Sequence, residues 1–289
     1  MRNSLKDEKL FKSLNKQHLV HVFNRLTYEQ SVYNPVRSKR PSPSASGNVR
    51  SFVDKVNHET EKNCDLCSYA RQTAVDELGR HETAYTVRMS NSFKIERWHG
   101  MVITKNSHHP TNLSSGEVLM LFEDAILWAS QIQDMEPAYK FPHLAWDTMY
   151  KSGASQIHPH VHVTVSPDHF YGLVERFRHV SRDYFQKTRE SYFPSLIQIY
   201  SSIGLAVRYG SAVALPTIAG VGDMEVMLLS EEPSRDLYLL LYFVIKAYHQ
   251  LDILCYSIAM TWSLDEELER ENAKRLSASY RGATALPPS

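Results

Sequence analysis

Apolar side chains recur at helical intervals along "SSGEVLMLFEDAILWASQIQ", residues 114–133, and its leading Ser and Glu stand in cap-like positions. The pattern predicts a helix there. "FYGLVERFRHVSRDYFQKTRES" (170–191) and "SRDLYLLLYFVIKAYHQL" (234–251) share that spacing. "LKDEKLFKSLNKQHLVHVFNRL" (5–26) reads as a leading helix within an N-terminal helical extension, residues 1–33. Strand-like alternation marks "TAYTVRMSNSFKI" (83–95) and "HGMVITK" (99–105), which predicts a hairpin or meander. It returns over residues 141–167, where a Gly-containing turn precedes three histidines, and again in "GLAVRYGSAVALP" (204–216) and "DMEVMLLS" (223–230). The order strand, strand, helix therefore recurs after residue 168 as a weak second copy. "NPVRSKRPSPSASGNVR" (34–50) lacks periodicity and reads as an extended segment or loop.

Bulk properties narrow what such a chain does. Its 289 residues suffice for one large domain or two smaller ones sharing a sheet. Lys plus Arg equals Asp plus Glu at 32 each, so no global field points to nucleic acid, a membrane surface or a polyanion. Any bound anion must be held locally. No apolar run has the length to cross a bilayer, and the charged N-terminus lacks the apolar stretch of a signal peptide, so a cytoplasmic location is expected. Three cysteines, two of them in "NCDLC", fit a reducing compartment better than a disulfide framework. Cys255 reads as core.

The stretch "SGASQIHPHVHVTVSP" holds His158, His160 and His162 at every second position. On a strand, such residues share one face, with neighbouring Cα atoms about 6 to 7 Å apart. Imidazole is largely neutral near neutral pH, so it serves as nucleophile, proton donor or metal ligand without prior activation. A metal cluster and a chance run on an exposed strand are the competing readings. Cys64 and Cys67 in "CDLC" have the spacing of a zinc knuckle, a site that needs four soft or borderline ligands. "NSHHP" offers His108 and His109, and His158 supplies a fourth. Such a closed set makes the metal structural, tying the N-terminal segment to the histidine strand.

Taken in order, "NPVRSKRP", "CDLC", "SNSF", "VITKNSHHPTNL" and "SGASQIHPHVHV" resemble the galactose-1-phosphate uridylyltransferase branch of the histidine-triad superfamily, over residues 34–167. The resemblance implies an α+β, histidine-triad-like fold, with a largely antiparallel sheet flanked by helices and two related halves. Residues 34–168 form the catalytic half with the zinc site, and residues 169–289 the degenerate second half. It implies that His160 is the nucleophile that becomes a covalent nucleotidyl-histidine. His158, Cys64, Cys67 and His109 are the implied zinc ligands, with His108 the alternative if the register is off by one. Arg37 and Arg40 resemble the pair gripping the substrate phosphates. Asn91 and Phe93 fall where the family contacts the nucleoside, Ser155 and Gln156 lie in the phosphate-contacting turn, and Asp147 stands where the family usually has Asn. The implied partners are a nucleoside diphosphate sugar such as a UDP-sugar and a sugar phosphate, as in galactose metabolism, and the family commonly dimerises.

The departures matter too. His162 replaces the Gln of the uridylyltransferases, as in the histidine-triad hydrolases, and a third histidine can donate to the scissile oxygen or assist water. The tail "SLDEELERENAKRLSASYRGATALPPS" contains no histidine, which leaves the acceptor open. A nucleotidyltransferase is the leading expectation. A hydrolase or phosphorylase of nucleotide conjugates using the same His160, and a silent zinc-stapled nucleotide-binding protein, are the alternatives.

Overall fold

The computed structural model describes residues 17–36, 48–263 and the strand 276–282. Its elements, in chain order, begin with β1 (Val20–Phe23), β2 (Gln30–Tyr33), α1 (Val49–Glu61) and α2 (Tyr69–Gln72). Then come β3 (His81–Glu82), β4 (Thr86–Ser90), β5 (Trp98–Thr104), α3 (Ser115–Met135), β6 (Phe141–Asp147) and β7 (His160–Ser166). The rest of the chain forms α4 (Gly172–Thr188), α5 (Tyr192–Ser202), β8 (Val207–Tyr209), β9 (Ala212–Pro216), β10 (Val226–Ser230), α6 (Arg235–Gln250), β11 (Tyr256–Thr261) and β12 (Leu276–Gly282).

Ten strands form one antiparallel sheet in the order β3-β4-β5-β7-β6-β11-β12-β10-β9-β8. The order repeats about the β6–β11 pair. Outward from that junction the first half runs β6, β7, β5, β4, and the second runs β11, β12, β10, β9. In each, two strands, a helix and two further strands follow in sequence, with α3 in one and α6 in the other. The α+β architecture and the duplicated unit thus agree with the sequence pattern.

Helix α3 forms because its start satisfies its own orphan amides. Ser114 accepts from the Glu117 amide at 3.2 Å and Glu117 Oε2 accepts from the Ser114 amide at 2.9 Å, completing a capping box. Its apolar face and that of α6 cover one side of the sheet in a continuous core holding Trp128, Phe122, Val102, Val161, Leu228 and Leu241. The approach is close. A Cβ on Gly100 would come within 3.0 Å of the Trp128 indole, so the strand under the helix needs glycine there.

The expected N-terminal helix is corrected where it is described. Residues 20–33 form the antiparallel hairpin β1–β2, with Val20 paired to Tyr33. "LVHVF" suits a strand because its branched and aromatic residues alternate with a period of two, and Asn24 stops it by accepting from the Leu26 and Thr27 amides. The hairpin docks on the second half. Tyr33 donates to the Ile218 carbonyl, Glu29 pairs with Arg176, and Leu26 joins the cluster of Phe177, Phe193, Leu215 and Met227. Residues 1–16 lie outside the described residues. Cys255 is buried with Val53, Val56, Met149 and Ile157, as its reading as core anticipated.

Candidate functional site

The sheet face turned away from α3 carries the chemistry. Strand β7 begins at His160, so His160 and His162 share that face, whereas His158 stands just before the strand. This corrects the picture of three imidazoles along one strand. The reason is the turn: Gly153, at φ 115°, reverses the chain after residues 150–152, and the peptide straightens only beyond Pro159. His158 is thereby free to face backward, toward the cysteine loop.

Its ring meets two thiols and one other imidazole there. His158 Nδ1 lies 3.7 Å from Cys64 Sγ, 3.4 Å from Cys67 Sγ and 3.2 Å from His108 Nδ1, while Cys67 Sγ lies 3.3 Å from His108 Nδ1. The donor atoms of Cys64, Cys67, His108 and His158 all fall within 4.8 Å of one another. Outer partners set both tautomers. His158 Nε2 donates to the Thr104 carbonyl at 2.8 Å, and His108 Nε2 donates to Thr60 Oγ1 at 3.1 Å, whose own proton goes to the Val56 carbonyl. Both Nδ1 atoms are left unprotonated and turned inward. Burial, aided by the neighbouring rings of His108 and His160, pulls His158 down to about 4, which keeps it neutral. Desolvation, then Cys64, pushes the Cys67 thiol up to about 12, so two adjacent thiolates are unfavourable without a cation between them. The donor set therefore fits a metal ion.

His109 is not part of this group. Its Nε2 bonds Asp54 Oδ1 at 3.0 Å and its Nδ1 accepts from the Thr111 amide. In this loop the two neighbouring rings point to different partners, and His108 is the one turned toward the cysteines.

Beside the cluster, a cavity of about 210 Å³ opens against His160 and His162. His160 Nδ1 donates to the His158 carbonyl at 2.7 Å, leaving Nε2 as the ring atom with a free lone pair. Burial lowers the His160 pKa, partly offset by that bond and by the Asp147 carboxylate. Burial, then His160 and His99, takes His162 down to about 3. Both rings are neutral near pH 7. Ser155, Gln156, Asn91 and Phe93 line the same cavity, as the sequence reading expects of substrate contacts, and the Phe93 ring is 89% exposed.

Asp147 does not line it. Its Oδ1 accepts from Ser257 Oγ at 2.5 Å, and Oδ2 lies 3.1 Å from where a Cβ on Gly153 would stand, so the carboxylate braces the turn from behind. The sequence reading places it among the substrate-binding residues; the structure brings it to Ser257 on the neighbouring strand and within electrostatic reach of His160. Arg37 and Arg40 lie outside the described residues.

One histidine beside the site escaped the sequence reading. His99, on β5, accepts from the Ile95 amide through Nδ1 at 3.3 Å, so its Nε2 carries the proton and donates to His162 Nδ1 at 3.1 Å. Asn91 Nδ2 is 3.2 Å from the same His162 atom, and Asn91 Oδ1 accepts from the Phe93 amide at 2.7 Å. His162 is thus locked with its proton on Nε2. A lone histidine within "WHGMVIT" reads as a core residue, and only its diagonal position across from His162 reveals the contact.

Among solved structures, the chain matches an ADP-glucose phosphorylase from Arabidopsis thaliana, crystallised with ADP-glucose, at a TM-score of 0.67 and 15% identity, covering 93% of this chain and 91% of that one. The likeness is one of fold, shared with the α+β, largely antiparallel architecture described above. A galT-like protein from Arabidopsis thaliana matches at a TM-score of 0.61 and 15% identity over 78% of this chain and 84% of that one. A uridylyltransferase matches at 0.57 and 12% over 92% and 86%. No family model and no curated protein matches the sequence. At such identities the likeness extends to the fold and leaves substrate and reaction to the site itself. Among the described residues, no helix is long and apolar enough to cross a membrane.

Proposed function

We propose that the protein transfers a nucleotidyl group from a nucleoside diphosphate sugar, or a related diphosphate, to a phosphate-bearing acceptor by way of a nucleotidyl-histidine at His160. The observation that carries this reading is the 2.7 Å bond from His160 Nδ1 to the His158 carbonyl. It leaves a neutral Nε2 lone pair beside a cavity large enough for part of a nucleotide. In the first step Nε2 bonds the α-phosphorus and the bond from phosphorus to the bridging oxygen breaks, releasing the sugar phosphate. In the second, an acceptor oxygen bonds phosphorus and the P–N bond breaks. Division into two displacements means that two anionic partners never occupy the site together. Ser155, Gln156 and the turn amides would stabilise the phosphoryl oxygens, with Arg37 and Arg40 gripping the phosphates as the family resemblance implies. The ADP-glucose held by the matching phosphorylase supports the donor class.

Cys64, Cys67, His108 and His158 would hold zinc. A tetrahedron with zinc–sulfur near 2.3 Å and zinc–nitrogen near 2.0 Å has edges of about 3.3 to 3.8 Å, close to the 3.2 to 3.7 Å separations found here. Four protein ligands close the site, so such an ion supplies folding energy and fixes the His158 carbonyl that orients His160.

His162 favours a second reading. Its Nε2 proton, fixed by His99, can go to a leaving oxygen, and its ring can then take a proton from water, which is the arrangement of a hydrolase or phosphorylase. One experiment separates the two. Protein incubated with a nucleoside diphosphate hexose labelled at the α-phosphorus should acquire acid-labile, base-stable label. Label that persists in buffer and leaves only upon addition of hexose 1-phosphate supports transfer, loss in buffer alone or on addition of inorganic phosphate supports hydrolysis or phosphorolysis, and no label with the donor left intact refutes both.

A further inference from the structure

We infer that Asp65 and Gln72 select a nucleobase bearing an exocyclic amine over uracil, an inference that rests on the nucleotidyl-transfer reading. Of the residues that line the cavity, His160, His162 and Ser155 are the groups that must meet phosphorus. Asp65 and Leu66 from the loop between the two cysteines, Gln72 at the end of α2, and Phe93, which is exposed and offers a stacking surface, line it as well. A base attached to that phosphate would lie among these.

The polar groups there differ in what they can still do. The Thr73 hydroxyl is committed, donating to the Tyr69 carbonyl at 2.7 Å and accepting from Arg80 at 2.8 Å. The Asp65 carboxylate and the Gln72 amide make no hydrogen bond to another described side chain, and both residues are exposed at the cavity wall. A carboxylate only accepts. Uracil presents two carbonyl oxygens flanking one N–H, so Asp65 opposes at least one lone pair for each proton it can accept. Adenine, cytosine and guanine each present an N–H₂ group, and guanine adds a second donor beside it. Gln72 both donates and accepts, which matches the mixed edges of adenine and cytosine. Leu66, buried next to Asp65, adds an apolar wall and no competing donor. For a partly solvated site, an unmatched polar edge is expected to cost about ten- to a hundredfold in kcat/KM.

The test is the rate of His160 labelling by ADP-, GDP-, CDP- and UDP-glucose, measured for the wild-type protein, Asp65→Asn and Gln72→Leu, with bound zinc quantified in each. At least one amine-bearing donor should label the wild-type protein ten times faster than UDP-glucose. Asp65→Asn, whose amide can donate to a carbonyl, should narrow that ratio at least fivefold by gaining activity with UDP-glucose. If Asp65→Asn loses zinc, Gln72→Leu decides, through a smaller preference for ADP- and CDP-glucose. UDP-glucose as the fastest wild-type donor, or ratios unchanged in the zinc-replete variants, would overturn the inference and leave nucleotidyl transfer standing. Absence of label from all four donors would instead remove the transfer reading, and the inference with it.

Discussion

The two halves of the sheet share one strand order and differ in what they do with the face turned away from α3 and α6. In the first half that face carries Met101, His160 and His162 and stays open as a cavity. In the second, Val213 and Leu215 on β9 and Met227 and Leu229 on β10 are apolar and lie under α4, α5 and the β1–β2 hairpin. β12 occupies the place of β7, and its segment "LSASYRG" has no histidine. Duplication therefore repeats a scaffold without repeating a site. The opposite face is common to both halves as one core, which is where two copies of a strand, strand, helix unit must agree. The free face is where they can diverge, one toward polar chemistry and the other toward burial.

Mutations that separate chemistry from scaffold should break this contrast most sharply. His160→Gly should abolish covalent labelling, a loss of at least about ten-thousandfold as for other covalent nucleophiles, with melting temperature and metal content retained. Labelling that survives would place the nucleophile elsewhere. Cys64→Ser comes next. Removing a ligand from a closed zinc site should lower stability by ~5 kcal/mol or more and abolish stoichiometric metal. The first half should then lose amide protection before the second, and normal melting in a metal-free protein would end the staple idea. Phe193→Ala is the mirror experiment. Its ring is 6% exposed in the second-half cluster, so truncation should cost about 3 to 5 kcal/mol. Metal content and labelling at low temperature should be unchanged, and a change in either would tie the covered face to the site.

The same contrast explains what was legible in the sequence. Helix α3 announced itself through a capping box and a long apolar stripe, and β4, β5 and β7 through alternation, because local rules and tertiary packing agree there. The cavity residues Ser155, Gln156, Asn91 and Phe93 came from motif order. Less legible were elements held by partners distant in sequence. "YSIAMT" is a strand because β6 and β12 flank it, and "LVHVF" is too short for its period to outweigh the helical spacing of the residues before it. His108 and His109 could not be told apart by spacing, since a loop has no fixed periodicity. Their hydrogen bonds to Thr60 and Asp54 decide. His99 was invisible for the opposite reason: a strand pattern says which face a residue takes, not which ring it meets.

The smallest expected effect lies at the seam. Ser257 on β11 stands opposite Asp147 on β6 and donates to its carboxylate at 2.5 Å, the contact through which a second-half side chain reaches the turn behind the cavity. The other carboxylate oxygen packs against Gly153, whose φ of 115° a side chain would strain. Ser257→Ala leaves the strand pairing intact and removes the hydroxyl that reaches both the Asp147 carboxylate and, at 3.2 Å, the Ser152 carbonyl of the turn, worth about 1 to 2 kcal/mol. If that contact orients the turn carrying Ser155 and Gln156, labelling of His160 should slow about tenfold with zinc content unchanged. A rate equal to wild type, at the same modest loss of stability, would mean that the second half contributes its sheet and core but no positioning of the site.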